Sequence, residues 1–112
     1  MTMLIDNLCA LAVRQNSGHT PTRADVQRYI QPGLVHVIRR ALRVGGDSLV
    51  ARWVNGELGI APGSDEAADA DPNELASWLC KEVVWHLQSG PRRWTAPSDE
   101  TVVEDRRLAA AW

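Results

Sequence analysis

The sequence predicts an all-α fold: a single compact domain of five or six short helices over residues 1–112. Apolar residues recur every three or four positions along most of the chain, which is the spacing that gives a helix one buried face. Capping residues, prolines and glycines occur where these apolar segments begin and end. A chain of 112 residues also has the usual size of one domain.

The first three helices are predicted from their apolar faces and from the turn residues between them. The first is expected at about 2–16, where leucines repeat at helical spacing as far as a Ser-Gly pair. The second is expected at about 21–31, beginning with a proline or, alternatively, with Thr22 and Asp25 at capping-box spacing. The third is expected from Leu34 to Val44, after a Pro-Gly pair and before two glycines.

Residues 48–61 are compatible with two structures. Asp47 or Ser48 can cap a short helix that ends at an Asn-Gly pair. The same pair between LVARWV and ELGIA also fits a small β-hairpin, because Asn-Gly supplies the positive φ angles of a type I′ turn. The helix is preferred because the flanking segments are helical, and the hairpin is the alternative.

Residues 57–74 are expected to form an acidic loop. They contain six carboxylates and no base, a net charge of −6, and no large apolar residue occurs over 61–73. A helix over about 72–89 is expected next, with Asp71 as its cap and a proline in its first turn. A last helix is expected from Asp99 to about Ala110.

No part of the sequence indicates catalysis, a metal or a cofactor. The three histidines and two cysteines lack the spacing of metal ligands, and no serine lies in a glycine-framed nucleophile turn. Cys9 and Cys80 lie in apolar runs and are expected to be buried thiols rather than a disulfide. No uncharged apolar run reaches 18 residues, and the N-terminus lacks the regions of a signal peptide. We therefore expect a non-enzymatic cytoplasmic protein without a metal, cofactor or membrane span.

The third helix is predicted to have a basic face opposite its apolar one. Four side chains recur at i, i+3, i+4 and i+7 on this face: His36, Arg39, Arg40 and Arg43. Residues 20–56 contain six arginines and two aspartates, a net charge of +4. Arginines hold phosphates through paired hydrogen bonds, so duplex DNA is one candidate partner. The alternative is a solvated face, or one paired with the acidic loop.

Residues 37–62 resemble the core of phage-repressor-like helix-turn-helix domains. The resemblance lies in Ala41, Gly45 and the block Arg52-Trp53-Val54-Asn55-Gly56. It implies that the third helix is the positioning helix and that Ser48 to Arg52 approach the edges of the bases.

Two tryptophans of the predicted 72–89 helix lie on one stripe, because Trp78 and Trp85 are seven residues apart. The stripe also passes Lys81 and Glu82. A broad apolar arc beside it suffices to bury the helix without both indoles: Leu75, Leu79, Cys80, Val83 and Leu87. We expect at least one indole to be exposed as an interface anchor, and burial of both in the core is the alternative.

The acidic loop leads directly into this helix. Asp65, Glu66 and Asp69 are therefore expected to border the indoles as the polar rim of one partner-binding surface.

These features are surfaces rather than a converging set of titratable groups. They favour a small interaction protein, a regulator or inhibitor that binds a larger protein partner, by analogy with accessory proteins of phages and mobile elements. A helix-turn-helix DNA-binding transcriptional regulator is the alternative, and it ranks second because the segment of charge −6 directly downstream would repel DNA. A homodimer is also compatible with the sequence.

Overall fold

A computed structural model describes residues 2–16 and 19–89, and within them the chain is helical without any strand. The helices are α1 (Thr2–Gln15), α2 (Arg23–Tyr29), α3 (Gln31–Val44), α4 (Leu49–Arg52), α5 (Asp65–Asp69) and α6 (Pro72–Gln88), with a π-helical turn (Trp53–Glu57) continuing α4. The all-α prediction is confirmed for these residues. The helix predicted over 99–110 lies outside them.

The core lies between α3 and α6, with α1 and α2 packed against α6 as well. The predicted apolar face of α3 is buried, and so is most of the arc on α6, of which Leu75 is only half-buried. In α1 the buried apolar residues include Leu4, Ile5, Leu8, Cys9 and Leu11. These residues form one continuous cluster with those of α4 and the π turn. None of the helices described is both long and apolar enough to span a bilayer.

The second helix begins at the capping-box alternative rather than at the proline, and the third begins earlier than predicted. The capping box decides the start of α2: the Thr22 N–H donates to Asp25 Oδ2 at 2.9 Å, and the Asp25 N–H donates to Thr22 Oγ1 at 3.2 Å. The Thr22 hydroxyl also donates to Asp25 Oδ2, at 3.0 Å, and the two bonds that the carboxylate accepts from the Thr22 N–H and hydroxyl lower the pKa of Asp25. The α3 helix begins at Gln31, so the Pro-Gly pair lies in its first turn, where proline's missing N–H breaks no helical bond.

The β-hairpin alternative for residues 48–61 is wrong, because this segment forms α4 and the π turn. Ser48 Oγ caps α4 by accepting the Ala51 N–H at 3.1 Å. The Leu58 N–H donates to the Trp53 carbonyl at 2.8 Å, a bond that spans five residues and closes the π turn. Asn55 does not enter a type I′ turn; its amide donates to the carbonyls of Ala41 and Ile60 at 3.1 and 2.9 Å.

The turn between α3 and α4 depends on Gly45. Its φ is +78°, a left-handed conformation that glycine adopts without a steric penalty. A Cβ at this position would also lie 3.0 Å from Pro62 Cγ, so the loop after the π turn packs directly on the end of α3.

The segment predicted as an acidic loop contains a helix. Ser64 Oγ accepts the Ala67 N–H at 3.1 Å and caps α5, while Ala67 is buried against the core. The segment is anchored by alanines alone, Ala67 in the core and Ala70 packed against it. It has no large apolar residue over 61–73, and for that reason the sequence predicts a loop. Its carboxylates, Asp65, Glu66 and Asp69, are all exposed.

Candidate interaction surface

Both indoles of α6 lie at the molecular surface. Trp78 is 42% exposed and Trp85 is 62% exposed, the latter with its ring edge against His86 at a centroid distance of 5.1 Å. Seven residues separate them, which corresponds to roughly 10 Å along the helix axis. Two large aromatic side chains therefore share one solvent-facing line.

Trp78 is held in place by a third tryptophan, Trp53, which residue spacing along α6 does not predict. The rings of Trp53 and Trp78 stack with their centroids 5.8 Å apart and their planes 8° apart. Trp53 belongs to the π turn and is only 4% exposed. One face of Trp78 is thus packed on the core, and the side chain's orientation is fixed before any partner binds.

Charged residues accompany the indoles along α6. Lys81 is exposed and lies on the side towards α2, where it borders a shallow depression with Arg23 and Gln27. Glu82 is half-buried. Glu74, four residues before Trp78 and exposed, lies on the same face by helical spacing.

The acidic residues lie at one end of this surface. The chain passes from α5 into α6 through two residues, of which Asp71 accepts the Asn73 N–H at 2.9 Å and caps α6. Along the helix axis, the distance from the start of α6 is roughly 9 Å to Trp78 and roughly 20 Å to Trp85. The carboxylates of α5 are therefore nearer to Trp78, and they form no ion pair with a cation of the described residues.

No protein-family model matches this chain. No curated protein and no solved structure is significantly similar to it either.

The residues proposed for DNA binding are divided between two environments. His36, Arg39 and Arg43 are exposed on α3, whereas Arg40 is half-buried. Ser48 is buried and its hydroxyl caps α4. Arg52 is exposed, but its Nε–H donates to the Asp47 carbonyl at 3.0 Å, which holds the guanidinium against the turn that precedes its helix.

The two cysteines are buried thiols, as predicted. Burial raises the pKa of Cys80 to about 12, and Cys9 Sγ donates weakly to the Val83 carbonyl at 3.8 Å. Residues 2–16 and 19–89 contain no group of three or more histidine, cysteine or acidic side chains placed to hold a metal ion.

The Cys80 thiol is expected to react far more slowly in the folded chain than in the unfolded one. Its pKa rises from an ordinary value of 9.0 to about 12, which lowers the thiolate fraction at pH 8 roughly a thousandfold. Since the unfolded state loses this proton first, the free energy of unfolding falls as the pH rises from about 9 towards 12. The measurements are iodoacetamide labelling with and without urea, and urea unfolding at pH 8 and pH 10, with Cys80→Ala as the control. Equal labelling rates in both states would contradict burial of this thiol.

Proposed function

We propose that this protein is a small non-enzymatic binding module, a regulator or inhibitor that attaches to a larger protein through the exposed face of α6. The observation that carries the proposal is the aligned, exposed pair Trp78 and Trp85, one of them fixed by stacking on Trp53. Tryptophan is strongly enriched among the residues that dominate interface energies.

Two properties make these indoles suitable anchors. Each indole buries on the order of 200 Å² when it is enclosed, which makes it a large apolar contribution to an interface. Trp78 is already ordered by Trp53, so its immobilisation costs little conformational entropy on binding. Trp85 is more exposed and supplies more new contact area.

The charges indicate what kind of partner surface would fit. Five exposed carboxylates lie on α5, on the two-residue connection that follows it and on the first turn of α6: Asp65, Glu66, Asp69, Asp71 and Glu74. A matching partner has an apolar pocket that binds the indoles. It also has lysines or arginines beside that pocket, where they would face the carboxylates of α5. Such complementarity steers association and excludes acidic competitors.

A helix-turn-helix DNA-binding regulator is the second candidate, and the geometry supports it less. The α3–turn–α4 arrangement fits the sequence resemblance, since α4 follows α3 after a short turn containing Gly45. However, α4 is buried along Leu49, Val50 and Ala51, which leaves few side chains to reach base edges.

Photo-crosslinking in cells of the source organism tests the proposal. The variant Trp85→p-benzoylphenylalanine places a crosslinker on the α6 face, and Val44→p-benzoylphenylalanine is the control, because Val44 is 60% exposed on α3. We expect one larger protein to be crosslinked from position 85, insensitive to nuclease, and not from position 44. Its direct binding is then measured with both purified proteins.

Three results would contradict the proposal. Equal crosslinking from both positions would indicate nonspecific contact. A product whose size falls on nuclease digestion would contain nucleic acid in place of a protein partner. A crosslink to a second copy of this chain would make the α6 face a homodimer interface.

A further inference from the structure

A second surface, separate from the indoles, lies between α3 and α5. It is an open cleft of about 370 Å³, within the size range of small-ligand sites. One wall carries Arg39 and Arg43 from α3. The rest is mainly apolar and comes from Leu42, Gly63, Ser64, Ala67, Ala68, Ala70 and Pro72.

The two arginines have no carboxylate in ion-pairing contact among the described residues. They are four positions apart on one helix, so their side chains are neighbours and their charges repel. Neither guanidinium forms an ion pair or hydrogen bond with another residue in 2–16 or 19–89. The side chains that line the cleft from α5 are alanines, although that helix also contains three carboxylates.

The hydrogen-bond donors of the opposite wall, its N–H groups and the Ser64 hydroxyl, are already occupied. Ser64 Oγ donates to the Ala61 carbonyl at 2.7 Å and accepts the Ala67 N–H at 3.1 Å. The Gly63 N–H donates to the Leu42 carbonyl at 2.8 Å, which ties this wall to α3. Polar recognition in the cleft therefore depends on the two guanidinium groups, and the remaining contacts are apolar.

We propose that this cleft binds a small organic monoanion, a carboxylate attached to a compact apolar body. The guanidinium of either arginine matches a carboxylate through two parallel hydrogen bonds. The alanine, leucine and proline walls match the apolar body. The hydrogen bond from the Gly63 N–H to the Leu42 carbonyl joins the two walls.

The surrounding charge favours a monoanion over phosphate or a polyanion. A helix of five residues is only about 7.5 Å long, so the carboxylates of α5 lie within roughly one Debye length of the cleft that the same helix lines. Each additional negative charge on a ligand is repelled by Asp65, Glu66 and Asp69. A single carboxylate gains the arginine contacts with the least repulsion.

The test is a titration of the ¹⁵N-labelled full chain, followed by its amide and arginine Nε–H signals. Benzoate is the probe, benzamide is its neutral isostere, and inorganic phosphate is the compact anion. We expect saturable millimolar binding of benzoate that shifts the signals of Arg39, Arg43 and residues 63–68. Benzamide and phosphate are each expected to bind at least tenfold more weakly.

Variants connect the signal to the cleft. Arg39→Gln with Arg43→Gln is expected to weaken benzoate binding at least tenfold, whereas Arg23→Gln with Arg28→Gln, the same charge change at exposed positions of α2, is expected to leave it unchanged. Ala68→Leu fills the apolar part of the cleft with both arginines retained, and is expected to block benzoate as well. This second variant keeps the test valid if loss of both arginines unfolds the chain.

Several outcomes would overturn the inference. Equal binding of benzamide would show an apolar cleft without charge recognition, and equal binding of phosphate would show general attraction of anions. Shifts of the same signals by a 20-base-pair duplex at lower concentration than benzoate would show that these arginines contact DNA. None of these results involves Trp78 or Trp85, so the α6 proposal is judged separately.

Discussion

Replacing Trp53 with alanine is expected to lower the free energy of unfolding by about 3–5 kcal/mol, the usual cost of removing a buried tryptophan. Trp53 is 4% exposed, and its loss also removes the stacking support of Trp78. Trp85→Ala is expected to cost less than about 1 kcal/mol, because 62% of that side chain is already exposed. Urea unfolding monitored by circular dichroism measures both values.

The loss of unfolding free energy for Trp78→Ala is expected to lie between the losses for these two variants, because only one face of the Trp78 ring is packed. Trp53→Phe is the matched control, because it keeps an aromatic ring under Trp78 and should be less destabilising than Trp53→Ala. Equal losses for Trp53→Ala and Trp85→Ala would show that Trp85 is also part of the core. The proposed surface would then lose its main anchor.

Trp85→Ala is expected to weaken binding to the crosslinked partner by roughly 30-fold or more, since anchor residues at interfaces contribute about 2 kcal/mol or more. The loss should appear mainly as faster dissociation, because removal of an apolar anchor leaves the electrostatic encounter intact. Surface plasmon resonance with the purified partner measures both rates. Val44→Ala and Tyr29→Ala, at exposed positions on α3 and α2, are the controls.

The carboxylates of α5 are expected to affect the association rate constant rather than the dissociation rate constant. Asp65→Asn, Glu66→Gln and Asp69→Asn together should slow association and reduce its dependence on salt, with little change in dissociation. Thr20→Lys, Ala24→Lys and Gln27→Lys produce the same charge change at other exposed positions and serve as the control. Equal slowing in both triple variants would show that net charge alone, rather than the charges of α5, controls association.

The sequence was sufficient wherever a local rule determined the structure. The spacing of apolar residues defined the buried faces of α3 and α6, because a helix buries every third or fourth residue whatever it packs against. The Thr22 and Asp25 pair and the Asp71 cap indicated the starts of α2 and α6 for the same reason: a cap involves only neighbouring residues. Both cysteines were also predicted correctly as buried thiols.

Local rules were insufficient for residues 48–69. The Asn-Gly pair suits either a type I′ hairpin turn or the end of a helix. In the folded chain the segment is helical and buries Leu49, Val50 and Val54. The side-chain amide of Asn55 donates to the carbonyls of Ala41 and Ile60, which lie on two other segments. The short helix α5 depends likewise on Ala67 reaching the core, which composition does not reveal.

For residues 2–16 and 19–89, the sequence pattern alone predicts the all-α fold, its principal helices and two tryptophans on one stripe of α6. Tertiary packing places Trp53 beneath Trp78, buries Ser48, and sets Arg39 and Arg43 at a cleft beside the alanines of α5. The physical reason is the range of the interactions. Periodicity and capping act within one or two helical turns, whereas stacking, burial and the shape of a cleft depend on residues far apart in the chain.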